Sequence, residues 1–114
     1  MKQMITRIDT EVRARFFRGL ANTSRLAILD VLREAEHTVS DVAEISGISI
    51  STASRHLTCL RECGLVESQQ DWRHVRYRLA NGVAELLGLN DQFIERVADR
   101  VEACQRPEME NGKR

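Results

Sequence analysis

Ser49-Ile50-Ser51-Thr52-Ala53-Ser54-Arg55-His56-Leu57-Thr58-Cys59-Leu60-Arg61-Glu62-Cys63-Gly64-Leu65-Val66 is the stretch on which the fold turns. On a helical wheel of about 100° per residue, Ala53, Leu57 and Leu60 share one side. Ser51, Ser54, Arg55 and Thr58 take nearly the opposite side, and Thr52, His56, Cys59 and Cys63 lie on the flank between them. The pattern predicts a helix beginning around Ser49–Ser51 and running to Cys63, where Gly64 supplies a stop. Its outer side offers short hydroxyls and one guanidinium, chemistry suited to base edges and phosphates in a DNA major groove.

Upstream, Thr38 or Ser40 can cap a short helix that carries Val42, Ala43 and Ile45 and stops at Gly47. The two helices and the Gly47 turn read as a helix-turn-helix. Downstream the period changes. Leu65-Val66-Glu67 reads as a short strand, Gln69 to Trp72 as a turn, and Val75-Arg76-Tyr77-Arg78-Leu79 as an alternating strand. Val75, Tyr77 and Leu79 then face one way, Arg76 and Arg78 the other, and this hairpin forms a wing.

Further out, Ile8, Val12, Phe16 and Leu20 predict a helix from about Ile8 to Leu20. Asn22-Thr23-Ser24 breaks it and caps a second helix, about Arg25 to Ala35, with Leu26, Leu29 and Leu32 spaced for one buried face. A last helix, about Val83 to Cys104, carries Leu86, Phe93, Val97 and Val101 on one side before Pro107 ends it. The expected fold is mostly α with a small β-hairpin, a winged helix-turn-helix in the order α-α-α-α-β-β-α. Residues 1–107 are expected to form a DNA-binding and dimerisation domain, and 108–114 a flexible C-terminal tail. The expected homodimer surface is the first and last helices, with Ile8, Val12, Phe16, Phe93, Val97 and Val101 as its apolar contacts.

With 17 basic against 17 acidic side chains among 114 residues, net charge alone names no partner. The distribution says more. Residues 49–80 hold five arginines against Glu62, Glu67 and Asp71, a locally basic middle compatible with a phosphate-facing surface. No apolar run approaches a membrane span and no signal-peptide pattern opens the chain, so the cytoplasm is the expected location and no membrane partner is expected. Three cysteines leave one unpaired in any intramolecular scheme, which argues against a disulfide scaffold. In a reducing compartment such thiols serve as buried fillers, metal ligands or redox sensors. Cys59 and Cys63, four residues apart, share a helix face with Cβ atoms roughly 5–6 Å apart, a separation at which two thiolates can grip one soft ion.

Ser51 to Leu57, followed by Leu60-Arg61 and Gly64-Leu65-Val66, resembles the recognition helix of the ArsR/SmtB winged-helix repressors. Leu20-Ala21-Asn22-Thr23-Ser24-Arg25-Leu26-Ala27-Ile28-Leu29 is similar to that family's earlier helix junction, and Asp71 to Leu79 to its wing. The likeness covers roughly residues 10–104. It implies a homodimer that holds double-stranded operator DNA without metal and releases it when metal binds. On that basis Ser51, Thr52, Ser54, Arg55, His56 and the wing's Arg73 are the expected DNA-binding residues.

Cys59-Leu60-Arg61-Glu62-Cys63-Gly64-Leu65-Val66 also resembles the recognition helix of the family's cadmium- and lead-sensing CmtR branch, which completes its site with a C-terminal cysteine of the other subunit. The resemblance thus implies a three-thiolate site of Cys59, Cys63 and Cys104, with Cd(II) or Pb(II) as inducer and no catalytic cofactor. Three sulfurs favour thiophilic ions over magnesium, calcium or manganese. Other sensor positions of the family look empty: Val39-Ser40-Asp41-Val42 has no thiol, and the last helix has Asp91, Glu95, Asp99 and Glu102 but no histidine. The wing departs from the family where glycine commonly follows the acidic tip residue. Trp72 stands there, to pack along a DNA sugar, widen the turn or cover the hairpin. The alternative inducers for the same fold and cysteines are arsenite or an oxidant. A thiol enzyme lacks a base–orienter pair, and a winged helix that binds a protein is the other alternative.

Overall fold

The computed structural model describes residues 8–104, so the expected tail at 108–114 lies outside the described residues. Five helices and three strands follow in the order α1 (Thr10–Leu20), α2 (Thr23–Glu34), β1 (His37–Thr38), α3 (Val39–Ser46), α4 (Ile50–Glu62), β2 (Val66–Asp71), β3 (His74–Leu79) and α5 (Val83–Cys104). Two compact units divide between Asn81 and Gly82. The architecture is a winged helix-turn-helix, as the periodicities imply, with one addition. The short β1 pairs antiparallel with β3 (His37 opposite Tyr77, Thr38 opposite Arg76), giving a three-stranded sheet in the order β1-β3-β2. Two residues are too few to display a strand period, which is why the sequence discloses only the hairpin.

Each helix of the first unit begins on a side chain that accepts a backbone N–H. Asp9 accepts from Glu11, Asn22 from Arg25, Thr38 from Asp41 and Ser49 from Thr52. Both helices of the helix-turn-helix end in the same way. After α3, the Ile48 N–H donates to the Ala43 carbonyl across Gly47 (φ 72°); after α4, the Leu65 N–H donates to the Leu60 carbonyl across Gly64 (φ 82°). These are Schellman closures, which place a glycine in the left-handed region where a Cβ is penalised. The second closure delivers Leu65 and Val66 into the core beside Leu60.

The core of the first unit is Ile28, Leu29 and Leu32 of α2, Val42 and Ala43 of α3, Ala53, Leu57 and Leu60 of α4, and Leu65 and Val66. Two expected core residues are corrected: Leu26 is 40 % and Ile45 57 % exposed. The reason is the same for both. Ile28, Leu29 and Leu32 centre the α2 stripe, and Val42 and Ala43 that of α3; Leu26 and Ile45 each lie about 110° from their stripe's centre. In the second unit α5 matches its expected bounds, but Val97 leaves helical geometry (φ −120°, ψ 16°) and kinks it. Val83 and Leu87 are its buried residues, whereas Phe93 and Val101 remain exposed. Among the described residues no helix is long and apolar enough to cross a membrane.

Candidate functional site

Helix α4 carries two surfaces on one rod. Ala53, Leu57 and Leu60 are buried and fix its rotation; Ser51, Ser54 and Arg55 are thereby turned outward and exposed, while Thr52, His56, Thr58 and Cys59 lie half-buried at the margins. Thr52 also serves the fold, since the Ser49 hydroxyl both caps its N–H at 3.0 Å and donates to its hydroxyl at 2.9 Å. The His56 imidazole is held below its ordinary value, first by loss of surrounding water and then by the charges of Arg25 and Arg55. It is therefore neutral in the free protein at neutral pH.

On the flank, Cys59 is half-buried and Cys63, at the helix cap, is exposed, and the two thiols interact electrostatically. Displaced water and then the neighbouring Cys59 push the Cys63 thiol above its ordinary value, against the opposing pull of Arg25. Residues of α1 and α2 approach Cys63. Gly19 of α1 sits so close that a Cβ there would lie 3.6 Å from the Cys63 sulfur. Arg25 of α2 donates from Nε to the Gly19 carbonyl at 2.7 Å, which holds its charge beside both Cys63 and His56. A recess of about 330 Å³, lined by Val12, Arg15, Phe16, Glu62 and Cys63, opens the thiol to small solutes. Cys104 is exposed at the end of α5. Among the described residues no three His, Cys, Asp or Glu side chains gather as a ligand set; Cys59 and Cys63 are a pair of soft donors, a chemistry that fits a thiophilic ion needing further ligands.

Arg25 and Gly19 escape a reading of α4 alone. Arg25 stands in the Asn22-Thr23-Ser24-Arg25 run at the start of α2, where the legible signal is the cap; only the packing of α1 and α2 on α4 gives it a second role.

The wing is tighter than expected. Asp71 pairs with His74, so Trp72 and Arg73 alone make the turn. Trp72 takes φ 58°, positive at the first central position of a two-residue hairpin loop, where glycine is favoured. A bulky residue in the left-handed region costs on the order of 1–3 kcal/mol. Gln70 Nε2 donates to the Trp72 carbonyl at 2.7 Å and latches the turn. The ring neither widens the turn nor covers the hairpin, being 80 % exposed, and the Arg73 guanidinium lies 4.6 Å from its centroid. Lower on the wing, Arg76 pairs with Asp71 at 3.1 Å and Arg78 with Glu67 at 3.1 Å.

Comparison with known proteins agrees with this geometry. The profile of the arsR family of bacterial regulatory proteins matches residues 22–68. The chain is similar to the "Probable mercury resistance operon repressor" of Streptomyces lividans, 36 % identical over 94 residues that span 82 % of this chain and 75 % of the relative. It is similar to the cadmium resistance transcriptional regulatory protein CadC of Listeria innocua, 35 % identical over 84 % of this chain and 82 % of that one. The transcriptional regulator CmtR of Mycobacterium tuberculosis is 41 % identical over 76 residues, 66 % of this chain and 64 % of the relative. Among solved structures, a homodimeric winged helix-turn-helix DNA-binding domain from Mycobacterium bovis superposes with a TM-score of 0.66 at 34 % identity, covering 87 % of this chain and 84 % of that one.

Proposed function

This chain belongs to the arsR family of bacterial regulatory proteins, and we propose that it is a homodimeric, cytoplasmic, metal-responsive transcriptional repressor whose free dimer holds operator DNA. Ser51, Thr52, Ser54, Arg55 and His56 of α4 and Arg73 of the wing meet the DNA. Cys59, Cys63 and Cys104 bind a soft ion, Cd(II) or Pb(II), and the operator is released. The observation that carries this reading is the thiol pair of Cys59 and Cys63 on the flank of the helix whose outer side presents Ser51, Ser54 and Arg55.

The coupling follows from a shared rod. In a dimer the two α4 helices must enter successive major grooves, about one helical turn of DNA apart. With Cys59 and Cys63 committed to one ion together with Cys104, supplied across the dimer as the CmtR resemblance implies, α4 is tethered at its C-terminal end. The spacing that DNA requires is then lost. By linkage, operator DNA weakens metal affinity by the same factor, typically about 1–3 kcal/mol. The exposed apolar residues Ile8 and Val12 of the N-terminal region and Phe93 and Val101 of α5 are available for the dimer surface.

The test uses reduced, metal-free full-length protein and a duplex that it selects from a random-sequence pool. Cadmium titration, followed by ultraviolet thiolate-to-metal charge transfer, saturates at one ion per subunit and releases the labelled duplex in parallel. Absence of tight charge transfer removes cadmium as inducer; release by arsenite or peroxide instead moves the inducer accordingly. Release of the duplex at saturating cadmium by a Cys104→Ser variant, as in the wild type, removes Cys104 from the switch.

A further inference from the structure

The wing tip holds a feature that the fold does not need. The Trp72 indole is 80 % exposed, so it adds almost no burial, yet its backbone occupies the left-handed region at φ 58°. Glycine or asparagine would make the same turn without the steric conflict. An observed strain of this kind, kept where it gives no packing in return, points to a use outside the folded chain.

The surroundings specify the use. Arg73 lies 4.6 Å over the ring centroid, a cation–π arrangement that orders both side chains before any partner arrives. Gln70 latches the carbonyl of Trp72. Arg76 and Arg78 are engaged by Asp71 and Glu67, whereas Arg73 has no carboxylate partner among the described residues. The charge left for a phosphate is therefore at the very tip. A groove of about 620 Å³, lined by Thr38 to Asp41 and by Arg73 to Tyr77, sets the wing beside the first turn of α3, on the helix-turn-helix itself. An exposed indole stacked with a free guanidinium matches an alternation of deoxyribose and phosphate: the ring supplies a flat apolar face, the guanidinium a forked donor.

We propose that Trp72 and Arg73 form a preassembled wedge that docks on the sugar–phosphate backbone of duplex DNA, the indole against a deoxyribose and the guanidinium on the adjoining phosphate. This rests on the repressor reading above, which already gives Arg73 to the DNA, and adds to it Trp72, the ring's sugar contact and the pairing that sets both side chains in place beforehand. Because sugar and phosphate carry no sequence code, the wedge contributes affinity and register rather than choice of bases.

Trp72 is the sole tryptophan of the chain, so its emission reports the wedge alone. The experiment adds the duplex selected from the random pool to full-length, metal-free protein, reading indole emission and acrylamide quenching alongside anisotropy of the labelled DNA. The expected result is changed emission and protection from acrylamide that saturate together with anisotropy. Trp72→Asn, which tolerates the same φ, is expected to be at least as heat-stable as the wild type and to bind about tenfold more weakly with an unchanged salt slope. Arg73→Gln is expected to reduce the slope of log affinity against log salt by about 1 for each phosphate that the guanidinium had neutralised. Indole emission that ignores a saturating duplex, or a Trp72→Asn variant that binds as the wild type does, overturns the wedge and leaves the repressor reading intact. A pool that yields no bound duplex overturns the repressor reading and the wedge with it.

Discussion

The outer side of α4 and the thiol flank at its C-terminal end share one 13-residue helix and its cap, yet their surroundings differ. Ser51, Ser54 and Arg55 are exposed, and their side chains are left for a partner to engage. Cys63, although exposed, is approached by Gly19 from α1 and by the charge of Arg25 from α2, which also reaches the electrostatic surroundings of His56. A surface meant for a large external partner needs only correct rotation, whereas a pair meant for one small ion needs walls. The buried stripe of Ala53, Leu57 and Leu60 serves both, because it sets the rotation of the outer side and the depth of the flank together.

The largest effect is expected from breaking that common support. Leu57 is fully buried, and Leu57→Ala should destabilise the fold by about 2–5 kcal/mol. Denaturant unfolding measures the loss, and DNA and metal binding should fail together. A variant that keeps one and loses the other would mean that the two surfaces are supported separately.

Arg55→Ala should separate them. Arg55 is exposed on the outer side, and removal of a base-reading side chain costs about 1–3 kcal/mol at each half-site. Anisotropy on the selected duplex should record that cost with a lowered salt dependence, while cadmium charge transfer stays as in the wild type. Equal damage to metal binding would place Arg55 on the flank as well.

Gly19→Ala probes the flank by addition. The new methyl would touch the Cys63 sulfur at an ordinary 3.6 Å, so the helix should accept it and gain up to roughly 1 kcal/mol over glycine. The same methyl removes more water from a thiol already raised by lost hydration, which disfavours the thiolate that metal binding requires. Raised melting temperature with weakened cadmium affinity and unchanged DNA affinity is the expected pattern. Unchanged cadmium affinity would show that an ion approaches the thiols from the side away from α1.

This contrast also explains what the sequence could and could not disclose. The rotation of α4 was legible because a single period of Ala53, Leu57 and Leu60 dictates it; the cap run at Asn22-Thr23-Ser24 and the choice of Thr38 or Ser40 were legible because short polar side chains announce them, whereas Ser49 was visible only as the edge of the expected start of α4. Leu26 and Ile45 misled because a spacing of three residues drifts off a stripe that only neighbouring helices can centre. The walls of the thiol flank were not legible at all. Gly19 and Arg25 lie roughly forty residues before Cys63, and no local pattern encodes a contact made by folding. At the wing, Trp72 was visible as a departure, but its left-handed backbone within a two-residue turn belongs to the register of β2 on β3.

His56 sits at the boundary between the two surfaces, and the smallest expected effect comes from its proton. Lost hydration, Arg25 and Arg55 keep the imidazole neutral in the free protein. A DNA phosphate acts in the opposite sense, favouring the charged form, so binding should take up a proton wherever pH lies between the free and bound values. Affinity for the duplex should therefore rise as pH falls from neutral through the imidazole range. The sign for folding is reversed: an imidazole held low when folded binds its proton more readily when unfolded, so stability declines as pH drops through the ordinary imidazole value of about 6.5. The two slopes are separable by measuring anisotropy and denaturant unfolding on the same samples, with His56→Gln as reference to remove any contribution from His37 or His74. If the wild type and His56→Gln give the same pH dependence of DNA affinity, His56 takes up no proton on the duplex and belongs with Arg25 to the flank.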